Sequence, residues 1–293
     1  MKKIAVIAVT TLLILFILFS PEAALDASKN GLTLWFTQLL PALLPFSILS
    51  YIILHSGMLP SRLKTAYIIM CGFLFGFPIG GKLTADFYEQ KLLSRRKASI
   101  LCAFTNNLSP AFVTASLQGL LQLSPSWRIY FLLYGIPLCY GLLMLALYHR
   151  KECFTQKETA SRFHMDMQII DAGIINGFET LIRICGYIVL FSIICASLHP
   201  LLPESSWLLL MFTGTLEVTN GISVLSSFPC SRVCKLFAAL FFLSWGGLSG
   251  IMQASSILHH AGLSVSRYVI QKLFLSALVL CGSFLLFLAG WLV

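Results

Sequence analysis

The sequence predicts an all-α, polytopic transmembrane helical bundle with two inverted repeats containing broken or re-entrant helices. Three observations lead there. The chain of 293 residues is 58% hydrophobic and only 11% charged, with a mean hydropathy of +0.87. A soluble domain is about 25% charged, so this chain lacks the polar residues to coat a water-facing surface, and a soluble enzyme, a nucleic-acid binder and a disordered chain are all poor fits. Uncharged stretches at 4–21, 30–61, 98–127, 129–149, 236–266 and 273–293 are long enough to span a bilayer, for which about 20 apolar residues suffice. Finally, the apolar segments recur in the same order in the two halves, one of each set being interrupted by glycine and polar residues.

The first segment, 4–21, follows Met1-Lys2-Lys3 and precedes Ala23-Ala24-Leu25-Asp26-Ala27, a pattern close to a secretory signal. Its apolar run is long for one and further spans follow, so a retained helix is expected. Spans then follow at 31–56, 98–121 and 127–148, and again at 171–199, 233–258 and 268–292. Between them, 66–86 is broken by Gly76-Phe77-Pro78-Ile79-Gly80-Gly81, and 206–227 by Glu217-Val218-Thr219-Asn220-Gly221. Proline and paired glycine release backbone groups, which in lipid is tolerated only where protein or water satisfies them. Both segments are therefore read as re-entrant hairpins or broken helices; with both re-entrant the chain crosses seven times, and an arrangement in which only 206–227 crosses fits the charge nearly as well.

Charge supports this arrangement. With the amino terminus inside, Lys2, Lys3, Arg62, Lys64, Lys82, Lys91, Arg95, Arg96, Lys97, Arg150, Lys151, Lys157, Arg162, Arg267 and Lys272 are cytoplasmic, fifteen of the twenty basic residues. That satisfies the positive-inside rule and explains the net charge of +9 without nucleic acid. Each half holds three crossings, an odd number, so the second is inserted upside down relative to the first. Sliding the halves by 140 residues superposes Gly81 on Gly221, Leu108 on Leu248 and Ser109 on Ser249. The resulting organisation is a first helix and short loop (1–30), a first repeat (31–148), a basic cytoplasmic loop (149–170) and a second repeat (171–293).

Four stretches carry candidate chemistry. In the first, Pro78, Gly80 and Gly81 open a helix whose free N–H groups suit a polar ligand, with Lys82 and Asp86 on one face. In the second, Asn106, Asn107 and Ser109 precede Pro110 inside an uncharged stretch. Carboxamides there are costly unless bonded, and Pro110 frees carbonyls a turn earlier. In the third, Glu217 with Asn220 places an isolated carboxylate within the membrane, a functional candidate by default. In the fourth, Ser249 and Gln253 share a helix face after Gly246-Gly247. Against each stands a structural role: a snorkelling Lys82 paired with Asp86, interhelical hydrogen bonding, an acid bound to a helix end, or small-residue packing. Glu179 and Arg183 read as a structural pair, and His259-His260 as an interfacial loop. The nine cysteines are dispersed; only Cys230 and Cys234 are close, so neither a disulfide framework nor a metal or other cofactor is expected. No phosphate loop, nucleophile elbow or zinc-protease motif occurs, so no enzymatic activity is expected.

The run Leu39-Leu40-Pro41-Ala42-Leu43-Leu44-Pro45-Phe46, then Gly76 to Asp86, then Phe104-Thr105-Asn106-Asn107-Leu108-Ser109-Pro110, resembles the sporulation integral membrane protein YlbJ family. Gly214 to Gly221 and Gly246 to Gln253 are similar to that family's Gate, or nucleoside-recognition, domain. Gly81 stands where the family usually has Ala, and Pro110 where Gly is common. The resemblance implies two Gate-like repeats, a multi-pass protein of the cell membrane, and a role in sporulation such as spore cortex formation. The expected function is transport of a small polar solute, with Glu217 as coupling or solute-contacting acid. The alternative is a non-transporting membrane scaffold for sporulation or envelope assembly. An intramembrane enzyme would need a close acid–base pair such as Glu217 with Lys82. Expected partners are the lipid bilayer and the solute, with a homo-oligomer left open.

Overall fold

The computed structural model describes residues 2–60, 63–124, 126–149 and 164–291. Within these residues the ordered elements are all helical. Arg62 and most of the loop 149–170, including the cations Arg150, Lys151, Lys157 and Arg162, lie outside the described residues.

The chain begins with α1 (Lys2–Phe19) and α2 (Pro21–Leu34), bent against each other by 106°. A π-helical turn, Trp35–Leu39, leads into α3 (Leu40–His55). Next come α4 (Lys64–Phe75) and α5 (Ile79–Glu89), then α6 (Arg95–Thr105) and α7 (Pro110–Ala115), which a π turn at Ser116–Leu120 prolongs. The first half closes with α8 (Trp127–Tyr130), running through the π turn Phe131–Gly135 into α9 (Ile136–His149). The second half comprises α10 (Met167–Leu198), α11 (Trp207–Leu216), α12 (Val218–Ser227), α13 (Arg232–Trp245), α14 (Gly247–His260) and α15 (Val265–Leu288).

Helices sort by length. Among the described residues five are long and apolar enough to cross a membrane, and six if the bent α1–α2 pair counts as one span. The segment expected at 31–56 is helical throughout, from the end of α2 through the π turn and α3. The two interrupted segments are shorter. With 12 and 10 residues, α4 and α11 reach about 18 and 15 Å at about 1.5 Å per residue, half of a hydrocarbon core about 30 Å thick.

Both short helices fold back on their successors. A methyl on Gly72 would lie 3.2 Å from the Gly80 Cα, and one on Gly221 would overlap the Gly214 backbone. Residues seven or eight apart on one helix lie more than about 10 Å apart. The chain therefore reverses at Gly76–Pro78 and again at Glu217, with glycine allowing the arms of each hairpin to touch.

Packing repeats between the halves. Pair α3 with α10, α4 with α11, α5 with α12, α6 with α13, α7 with α14 and α9 with α15. The contacts α4–α5, α5–α6, α6–α9 and α4–α7 then correspond to α11–α12, α12–α13, α13–α15 and α11–α14. Contacts between the halves follow the same exchange: α5 packs on α14, and α12 on the turn after α7. The bundle is apolar outside, with Leu143 on α9, Ile175 and Ile182 on α10 and Ile270 on α15 all more than half exposed. Polar groups such as Thr105, Asn106, Glu217 and Lys272 are buried. This is the pattern of a protein whose solvent is lipid. Glu179 and Arg183 pair at 2.7 Å on the exposed side of α10.

Candidate functional site

In the first half the two breaks cross each other. Gly76, at φ 73°, sits directly against Ser109, and Phe77 N–H donates to the Asn107 carbonyl. The Asn107 Nδ2 donates to the Phe104 carbonyl at 2.6 Å, and Tyr134 donates its hydroxyl to the Leu108 carbonyl at 2.8 Å. Ser109 caps α7, its Oγ accepting from Phe112 N–H. The carbonyls that the break frees are thus paired within the protein, as an apolar surround requires.

A residue misassigned from sequence completes this crossing. Lys272, placed above among the cytoplasmic cations, is buried on α15 with 4% exposure. Its Nζ donates to the Asn106 carbonyl at 2.9 Å and to Asn107 Oδ1 at 3.0 Å. Tyr268, one turn earlier, accepts from Asn106 Nδ2 at 2.7 Å. An ammonium taken out of water needs several strong acceptors; the end of α6 supplies them, where the helix dipole also favours positive charge.

The second half builds the same crossing from different residues. Gly246 and Gly247 both take positive φ, 79° and 76°, between α13 and α14. The position of a Gly247 methyl lies 3.1 Å from the Leu216 carbonyl oxygen and 3.3 Å from Glu217 Cα, so a side chain there would crowd the α11–α12 reversal. Residues 217 and 247 stand 140 positions beyond 77 and 107, the pair that meets in the first half. Glu217 caps α12: its Oε2 accepts from Asn220 N–H at 2.9 Å and from the Thr219 hydroxyl. Glu217 is 4% exposed and has no cationic partner among the described residues.

All four breaks line one cavity of about 300 Å³. Pro78 and Ser109 come from the first half, Glu217, Ser249 and Gln253 from the second. Leu39, Leu43, Ile184 and Ile188 wall it from α3, its preceding turn and α10. Gln253 Nε2 donates to Ser249 Oγ at 3.1 Å, one turn along α14. The lining is mainly apolar with a few convergent polar groups, the usual make-up of a small-molecule pocket.

The other expected site residues are not part of that lining. Gly80 packs on the Thr105 backbone, and Gly81 N–H donates to Asn106 Oδ1 at 3.3 Å. Lys82 is paired with Asp86 at 3.1 Å. Asn106 and Asn107 hold Lys272, and Asn220 Nδ2 reaches Ser192 Oγ on α10 at 3.5 Å. Sequence reasoning missed Lys272, Tyr268 and Thr219. The signal for Lys272 was present: it lies inside the expected span 268–292, where an ionisable residue is a functional candidate by default.

Comparison with known proteins gives one informative likeness. The chain is 25% identical, over a 307-residue alignment covering 86% of it and 75% of the relative, to the sporulation integral membrane protein YlbJ of Bacillus subtilis (strain 168). No family model and no solved structure matches.

Proposed function

We propose that the chain, on its likeness to the YlbJ protein, belongs with the YlbJ family of integral membrane proteins and is a sporulation membrane protein that carries a small polar solute across the cytoplasmic membrane. The observation that supports this reading is the cavity shared by the four breaks, with Glu217 at its wall. Helix breaks from two related halves meeting at one pocket are the building plan of secondary transporters. The exchange pattern of contacts supports two Gate-like repeats in opposite orientation. Glu217 Oε2 is committed to the α12 cap, which leaves Oε1 as the acceptor for an N–H or O–H of the solute. Ser249, Gln253 and Thr219 add hydroxyl and amide groups, and the apolar wall accommodates the solute's body. The likeness to a nucleoside-recognition domain makes nucleosides a first class to try, by analogy only. No chemistry on the solute is invoked; the role is non-enzymatic.

The test fills the cavity. The nearest atoms to a methyl on Gly250 belong to the Phe77 ring, at 3.6 Å or more, and Gly250 lines the cavity, so Gly250→Leu directs its extra atoms into the void. Proteoliposomes holding the wild type are expected to take up one of a panel of labelled nucleosides, amino acids or sugars. Gly250→Leu is expected to abolish that uptake, and heat-resistant spore formation in the native host, at unchanged membrane abundance. Normal spore counts from the filled variant would favour the scaffold and end the transport reading.

A further inference from the structure

A second cavity, of about 280 Å³, lies where α8 and α13 begin and α15 ends, and is lined by Arg128, Arg232, Ser124, Ser126 and Trp291. Arg128 lies between two indoles, its Cζ 5.8 Å from the Trp127 ring centre and 5.7 Å from that of Trp291. It donates Nη1–H to the Trp291 carbonyl, while its buried Nε–H has no acceptor among the described residues. Arg232 donates one long bond, 3.5 Å, to the Gln122 carbonyl. A guanidinium carries five donors, so among the described residues most of this pair's capacity is unused.

Among the described residues neither arginine has an acidic partner. No acid occurs between Glu89 and Glu152, and after Glu204 there is only Glu217, which lines the other cavity. Glu204 forms no ion pair with either arginine among the described residues. Lys235, a turn beyond Arg232, adds a further positive charge and donates to the Ser226 carbonyl at 2.6 Å. Two convergent guanidiniums with spare N–H groups match the oxygens of a phosphate.

The surroundings indicate where that phosphate comes from. Trp127 and Trp291 are 70% and 57% exposed, and indoles at helix ends mark the membrane–water interface. Next to them Phe131, Leu285 and Leu288 are exposed and apolar, a surface on which acyl chains can lie. We propose that this pocket binds the phosphate of an anionic phospholipid headgroup. Neither arginine lines the four-break cavity, so the proposal stands or falls independently of transport.

The purified detergent-solubilised protein can be titrated with phosphatidylglycerol, phosphatidylcholine and inorganic phosphate while its thermal midpoint is followed. The wild type is expected to be stabilised by phosphatidylglycerol and not by the other two. Arg232→Gln, at an exposed position, is expected to raise the half-saturating lipid concentration on the order of ten-fold, the cost of one lost charge-assisted bond. Arg128→Gln should do so at least equally. Identical titrations for wild type and Arg232→Gln would remove the site. A midpoint shift reproduced by millimolar inorganic phosphate would overturn the lipid assignment.

Discussion

The two crossings differ more in chemistry than in shape. In the first, a break rich in asparagine is held by a lysine borrowed from α15 of the other half. In the second, two glycines in the left-handed region clear the space and a glutamate caps the returning helix. At the position related by 140 residues to Glu217 stands Phe77, and at that of Asn107 stands Gly247. One framework therefore carries a cation behind one crossing and an acid in front of the other. The shape of a crossing is set by glycine and reversal; what it can bind is set by the few polar residues that differ.

The largest effect is expected where the two crossings are alike. Val at Gly80 or Gly221 would drive atoms into the Thr105 or Gly214 backbone, which side-chain motion cannot relieve. Each is expected to cost at least about 3 kcal/mol, the upper range of overpacking, and to abolish monodisperse elution from a sizing column. Gly186→Val is the control: nothing lies within 4 Å of that methyl, so its elution and thermal midpoint should stay close to wild type. If one crossing tolerates valine and the other does not, the halves are not equivalent.

A smaller effect separates the crossings. Lys272→Met orphans the Asn106 carbonyl and Asn107 Oδ1 behind the first break. Each buried acceptor left unmade costs about 1–3 kcal/mol, offset in part by removal of a buried charge. A net loss of about 2 kcal/mol is expected, read as a lower midpoint in detergent. Combining it with Asn107→Leu should cost less than the sum of the two, because they share a bond. Full additivity would show that Lys272 does not act through Asn107.

These residues also show what could be read in advance. Composition and hydropathy alone established the membrane class, because lipid leaves so few ways to satisfy a backbone. The breaks were legible at 76–81, 106–110, 217–221 and 246–247 because glycine, proline and clustered amides are local signals. Their assembly was only partly so: Pro78, Ser109, Glu217, Ser249 and Gln253 line one cavity, whereas Gly80, Gly81, Lys82, Asn106, Asn107 and Asn220 do not and are packed or bonded elsewhere. Periodicity cannot tell a lining residue from one a turn away. Lys272 lies inside the expected span 268–292, so its candidacy was legible, but its partners on α6 were not. Only the packing of α15 on α6 turns it inward.

The finest discrimination rests on Glu217, which does two things at once. Its Oε2 caps α12, and its position at the cavity wall suits it to meet a solute. Glu217→Ala removes both, and loss of an N-cap costs about 1 kcal/mol. Glu217→Gln keeps a carbonyl oxygen for Asn220 N–H, so its midpoint should fall by less than that of the alanine variant. A structural cap would let Glu217→Gln form spores as the wild type does. An acid that contacts solute loses its charge in the same substitution, so uptake and spore counts should fall to the level of Glu217→Ala while stability stays near wild type.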